Sequence, residues 1–485
     1  MGYGLDAIEA VVASVGDRSS GTAAADAVMS VRPQAVHRIV IGADDLPPHS
    51  DAETLLGRGA PVSPGAGAGV ACTTIDAAIR CLDAGESFVL WLESTSPSDE
   101  PIMRCADAVV TRTGGVASHA AIVARQWGIP AVCGVGDTPI VDGRPVLVDG
   151  STGEIREVAP AAARTSRPLL ALPASVATLL ELAERLAGGS VRVTVNGDTG
   201  PAVRLGRTMG AVGVGLCRTE HQFVGDRLAL IRPLLEGTPT SRELTTFVDA
   251  QTDLFVDVLS AAAGQPVALR LLDAPGREFG VAVPDDRRGA QLDAARPWLY
   301  EAQVAALLYA SEVCHASGHQ PIVTLMVPMV DDSAAFDRIA ARVRDTVTRS
   351  RSSMSLPLGV MIETPGAVAH AGALARGVQR VSLGTNDLTA GLLGVDRDVT
   401  APGEFNPFVE LDTGSVLPAV SQVVRAVRAA QPDAVVSVCG QHAAHVESVG
   451  RLVAAGVDEL SVGPYDVPST RLAVAQAVLQ GRRAA

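Results

Sequence analysis

Glu363 and Asp387 each stand just past an apolar run, at 358–362 and 379–383, and the two runs are consecutive. If both runs are strands of one sheet, the two carboxylates converge on one cation. Mg²⁺ suits such a pair, because it takes few protein oxygens and keeps several of its waters. Arg218 follows one earlier apolar run and Arg270 lies within the next, and both offer planar forks that match the oxygens of a phosphoryl group. Gly384, Thr385 and Asn386 precede Asp387 directly and add neutral donors for a carboxylate or phosphate, with Arg397 a further anion contact. Cys439 ends another run ahead of Gly440, where a thiol can give or take a proton, and the other six cysteines read as buried hydrophobes. His442 and His445 read as solvated loop positions.

A second constellation lies far upstream, in Thr113-Gly114-Gly115-Val116-Ala117-Ser118-His119 and the alanine-rich run after it. Ser118 is a fitting N-cap. His119 then sits at a helix N-terminus, where free N–H groups and the dipole favour an incoming anion. An imidazole presented to a phosphate is a candidate phosphoryl carrier.

The elements that must hold these groups fall into two rhythms. Short apolar strands at 88–92, 108–111, 131–133 and 146–148, with helices at 74–83 and 118–127, form a compact α/β unit. The glycine-rich stretch 61–70 reads as a turn before a short strand, and without a Lys-Ser/Thr ending it is no phosphate loop. Beyond 190, eight apolar runs alternate with helices: 191–195, 211–216, 267–272, 322–327, 358–362, 379–383, 434–438 and 457–462. That alternation predicts a closed (β/α)8 TIM barrel with its chemistry at the strand C-terminal ends, a doubly wound open sheet being the alternative. The expected fold class is α/β, divided into an N-terminal segment (1–57), the small unit (58–158), a linker and helix (159–190) and the barrel (191–485).

Composition narrows the chemistry. The 485 residues carry a net charge of −14, which leaves no basic face to displace counterions from a nucleic acid. Every basic residue besides histidine is arginine, so Schiff-base chemistry and lysine-based nucleotide sites are excluded. No apolar run reaches the roughly 18–20 residues needed to span a bilayer. The seven cysteines include no CxxC pair, and a reducing, cytoplasmic setting is expected.

These motifs resemble those of the phosphoenolpyruvate-utilising family, which includes pyruvate, phosphate dikinases, phosphoenolpyruvate synthases and enzyme I of the sugar phosphotransferase system. The resemblance runs from residue 58 to 485. It is carried by Gly114-Gly115-x-x-Ser118-His119-x-Ala121-x-x-Ala124-Arg125, by Cys217-Arg218-Thr219-Glu220-His221 and by Arg270-Leu271-Leu272-Asp273. Gly384-Thr385-Asn386-Asp387-Leu388-Thr389 and Cys439-Gly440 complete it, and the set is closest to the dikinases. The resemblance implies that His119 is the phosphorylated nucleophile of a swivelling phosphohistidine domain. It implies Mg²⁺ at Glu363 and Asp387, and phosphoenolpyruvate held by Arg218, Arg270, Gly384, Thr385, Asn386 and Asp387. Cys439 would protonate the enolate carbon.

Departures shape the expectation further. Only about 57 residues precede the small unit, where dikinases carry a large nucleotide-grasp domain, so the chain is not expected to bind ATP itself. Ala117 stands where the family usually has a regulatory Thr. The expected function is a dikinase-like phosphotransferase that interconverts phosphoenolpyruvate and pyruvate through a phosphohistidine. A separate nucleotide-binding or phospho-acceptor protein would complete the cycle, and the resemblance suggests a homodimer. The alternatives are an enzyme I-like relay to a protein acceptor, and a non-catalytic phosphoenolpyruvate or pyruvate sensor. Partners in nucleic acid or membrane are not expected.

Overall fold

A computed structural model describes residues 5–15, 21–41, 54–95, 99–103, 105–115, 118–158, 169–223, 227–273, 279, 287–352, 354–395 and 407–484. The chain forms two compact units.

The smaller unit, centred on Gln34–Leu172, is built on one eight-stranded sheet. Its strands are β1 (Thr54–Arg58), β2 (Ala60–Ser63), β3 (Ala66–Cys72), β4 (Phe88–Leu92), β5 (Ala108–Thr111), β6 (Ala131–Cys133), β7 (Pro145–Asp149) and β8 (Glu154–Glu157). The order is β1-β8-β7-β3-β4-β5-β6-β2. The parallel centre, β3 to β6, is extended by antiparallel strands on both sides. Alternation splits the core between the two faces. Phe88 and Leu90 pack in one apolar layer with residues of the helices Ile75–Ala84 and His119–Trp127, while Val89 and Trp91 pack in the other with Val148 and Ile155.

One sequence expectation is corrected here. Most of the stretch 61–70 is strand rather than turn, because Ala66–Cys72 sits mid-sheet, paired to both β7 and β4. Alanine and glycine have weak strand propensity, and pairing on both edges overrides it. Cysteine burial also departs from expectation. Cys105 is exposed, and half-buried Cys81 places its Sγ 3.5 Å from that of Cys72.

The larger unit is a closed parallel barrel of eight strands. They are β9 (Arg192–Asn196), β10 (Val214–Arg218), β11 (Pro266–Arg270), β12 (Ile322–Val327), β13 (Leu358–Ile362), β14 (Arg380–Leu383), β15 (Val435–Val438) and β16 (Glu459–Val462). Closure comes from β16 pairing with β9, which settles the choice between barrel and open sheet. Helices between strands start on strong caps: Thr240 forms a capping box with Glu243, and the Asp332 side chain accepts from Ala335 N.

The barrel interior carries a buried ion pair near the strand N-terminal ends. Arg380 donates to both carboxylate oxygens of Glu459, Nη2 to Oε2 at 3.0 Å, and Thr194 Oγ1 adds a third donor at 3.1 Å. The segment Glu9–Pro33 belongs to this unit rather than forming a separate piece with its neighbours. Gln476 Nε2 ties it down by donating to the carbonyls of Val28 and Val31 at 2.8 and 2.7 Å. Among the described residues no helix is long and apolar enough to cross a membrane.

Candidate active site

The C-terminal ends of β10 to β15 bring most of the sequence-predicted residues together. Arg270, the last residue of β11, is almost fully buried and faces carboxylates: it donates to Glu220, with Asp273 and Glu363 both 3.6 Å from its Nη1. Arg288 spans the other side, giving Nη2 to Asp273 Oδ2 at 2.7 Å and Nη1 to Asp387 Oδ1 at 2.9 Å. Among the described residues, four carboxylates thus face two guanidinium groups in these contacts.

Glu363 registers that imbalance. It is 2% exposed, and its Oε1 accepts from Met329 N at 2.9 Å. Its Oε2 accepts no hydrogen bond among the described residues. Burial pushes its carboxyl up to about 8 despite the pull of Arg270, and the neighbouring charges of Asp273 and Asp387 add to the rise. A buried oxygen that accepts no hydrogen bond among the described residues, within the fields of Asp273 and Asp387, fits a divalent cation. Among the described residues no group of three or more His, Cys, Asp or Glu is arranged to hold a metal. An ion such as Mg²⁺ needs only one or two carboxylates and takes its other ligands from water and substrate.

Gly384, Thr385, Asn386 and Asp387 lie where β14 runs into the helix Thr385–Leu393, so first-turn N–H groups without intrahelical partners face the strand exits. Gly384 packs against the Glu363 side chain, leaving no room for a Cβ. Arg218 is partly exposed; its backbone N donates to Asp198 Oδ1 at 2.7 Å, and its Nη1 lies 3.9 Å from Asp198 Oδ2. Burial raises the Asp198 carboxyl, yet His221, 2.8 Å away, and Arg218 outweigh it and hold the group below the usual carboxylate range.

Cys439 follows β15 and packs with Leu216, Ala268, Met326 and Met361 from four other strands. Burial pushes its thiol up, and Ser382, Arg218, Glu363 and Arg270 all act on it electrostatically. A thiol in that state keeps its proton at neutral pH and has one to give.

His119 lies in the smaller unit and opens the helix His119–Trp127. Ser118 caps that helix, accepting from Ala121 N at 3.3 Å, as the sequence predicts. Gly114 takes a positive φ of 96°, which the double glycine permits. Arg397 lies outside the described residues.

Sequence reasoning missed four residues here. Glu220 and Asp273 stand inside recognised motifs without an assigned role. Arg288 follows no apolar run, so nothing in the pattern singles it out. His442 is fully buried rather than solvated, with its Nδ1 2.8 Å from Thr385 Oγ1 and its Nε2 2.8 Å from the Pro407 carbonyl.

The chain belongs to the phosphoenolpyruvate-utilising enzymes. The family profile described as "PEP-utilising enzyme, PEP-binding domain" matches residues 175–479, and "PEP-utilising enzyme, mobile domain" matches 84–153. Three curated relatives that the chain resembles are dikinases. Pyruvate, phosphate dikinase of Rhizobium meliloti (strain 1021) is 28% identical over 525 residues, covering 95% of this chain and 57% of its own. The chloroplastic pyruvate, phosphate dikinase 1 of Arabidopsis thaliana is 30% identical over 494 residues, covering 88% and 50%. That of Clostridium symbiosum is 29% identical over 491 residues, covering 88% and 55%. The chain spans about half the length of these relatives.

Proposed function

We propose that this chain is a dikinase-like phosphotransferase that interconverts phosphoenolpyruvate and pyruvate, with His119 as the phosphoryl carrier. The observation that carries the reading is the buried Cys439 thiol, held within the fields of Arg218, Arg270 and Glu363 at the barrel exits. In the forward direction a neutral His119 imidazole attacks phosphorus, the bond from phosphorus to the enol oxygen breaks, and the enolate remains in the barrel. Cys439 Sγ–H then gives its proton to the enolate C3, and the thiolate is reprotonated from solvent. Arg218 and the first-turn N–H groups of Thr385–Leu393 hold the anion, with positioning and charge stabilisation as the main catalytic effects. Glu363 and Asp387 would hold Mg²⁺, which when bound stabilises charge on the phosphoryl and enolate oxygens.

The dikinase names of the relatives favour this reading over a relay to a protein acceptor. A separate nucleotide-binding or phospho-acceptor protein would then exchange phosphate with phosphohistidine, in a cytoplasmic homodimer. The test is incubation with phosphoenolpyruvate labelled in its phosphoryl group, plus Mg²⁺. Acid-labile label on wild type that is absent from His119→Ala is expected. Equal labelling of the two proteins would overturn the assignment, and pyruvate binding without C3-proton exchange would point to a sensor instead.

A further inference from the structure

The segment that follows Cys439 grips the turn that follows β14 at three points. Gly440 packs so closely on it that an added Cβ would overlap Thr385 Oγ1 and lie 3.0 Å from Asn386 Oδ1. Gln441 N donates to Asn386 Oδ1 at 3.1 Å. His442 reaches Thr385 Oγ1 and the Pro407 carbonyl from its two ring nitrogens, each at 2.8 Å. Thr385 and His442 are both fully buried, so neither group exchanges its partner for water.

The chemistry of the partners fixes the protons. A carbonyl oxygen only accepts, so His442 Nε2 carries the hydrogen it gives to Pro407. In the neutral ring Nδ1 is then an acceptor, and the Thr385 hydroxyl donates to it. Burial lowers the basicity of this imidazole, consistent with a neutral ring. The Thr385 hydroxyl proton is thereby committed to His442. What Thr385 retains for an anion is its backbone N–H, in the first turn of the helix.

We propose that His442 is a positioning residue: it locks the Thr385 hydroxyl, and so holds the turn Gly384–Asp387 in register with Cys439. The anion contact at Thr385 then runs through the backbone and not through the side-chain O–H. This rests on the proposed function, since it assigns that turn to the phosphoenolpyruvate or pyruvate anion. It goes further by adding a residue that touches no substrate.

Two measurements test it. The first is pyruvate C3-proton exchange in wild type, His442→Leu, Thr385→Val and the double variant. One neutral hydrogen bond corresponds to a change of roughly 2–13-fold, expected in pyruvate KM for each single variant with a smaller change in kcat. The double variant is expected to be no worse than the worse single one, because both remove the same bond. Multiplied defects, or a KM left at the wild-type value in both singles, would overturn the proposal. Thr385→Ser keeps the hydroxyl and is expected to raise pyruvate KM less than Thr385→Val does; an equal rise in the two variants would overturn the proposal.

The second measurement does not use activity. Long-range ¹H–¹⁵N spectra of ¹⁵N-histidine-labelled protein, with His442 identified by its loss in His442→Gln, are expected to show the Nε2–H tautomer. An Nδ1–H or doubly protonated ring would refute the clamp. Absence of any exchange in wild type would instead overturn the function, while the spectra still read the clamp.

Discussion

Gly440→Ala isolates the grip between two strand exits with a single methyl group. The backbone at Gly440, φ −79° and ψ 174°, is one that any residue adopts, so the substitution adds no conformational strain. It removes some unfolded-chain entropy, which alone favours the folded state by about 0.4–1 kcal/mol. Against that, the methyl enters the space of Thr385 Oγ1 and presses on Asn386 N at 3.1 Å. Thr385 is β-branched and fully buried at the start of a helix, so its side chain cannot simply rotate away. Overpacking of this kind costs about 1–3 kcal/mol. Displacing the hydroxyl from His442 costs a further 0.5–1.5 kcal/mol or so. The net expectation is a destabilisation of roughly 1–3 kcal/mol, read as a lower urea midpoint for the barrel unit at unchanged slope. Pyruvate KM should rise with it. In a Thr385→Ala background the overlapping oxygen is gone, and Gly440→Ala should cost markedly less. Equal cost in both backgrounds, or no cost in either, would refute the close-contact reasoning.

Two further outcomes follow from charge. Glu363 has its carboxyl raised from the ordinary value of 4.5 to about 8, so the folded state binds the extra proton between those values and its stabilising effect is lost as pH rises through that window. The same proton competes with a cation, so apparent Mg²⁺ affinity should increase with pH and level off above about 8. Titration calorimetry in two buffers of different ionisation enthalpy checks this through proton release, and pH-independent affinity would contradict it. In the barrel interior, Glu459→Ala leaves the Arg380 guanidinium buried without its carboxylate and should cost about 3–5 kcal/mol in urea unfolding. The apolar pair Arg380→Met with Glu459→Leu should recover much of that loss.

The chemistry-bearing strand exits were legible because each barrel strand is a short β-rich run, and the polar residue ending it stands out in sequence. β13 spans Leu358–Ile362 as read from the pattern, and β14 starts at Arg380, one residue later than its run. Strands of small residues were harder to see: β3 depends on neighbours at 88–90 and 145–149, which no local propensity reveals. Glu363 and Asp387 were visible as a pair. The arginine that bridges Asp387 to Asp273 was not, because Arg288 gains its meaning only from partners 15 and 99 residues away. His442 was misread for a related reason, since burial supplied by the Pro407 segment and the Thr385 turn leaves no trace in the residues beside it.

The Arg380–Glu459 pair also constrains how the barrel is assembled. The ribosome makes the guanidinium 79 residues before the carboxylate that neutralises it. At synthesis rates of about 5–20 residues per second, that is a wait of roughly 4–16 s. Throughout it, β14 cannot seal itself into a dry interior without burying a bare cation. The half-made sheet must therefore stay open and wet on its inner face until β16 arrives, so closure and desolvation fall together in a single late event.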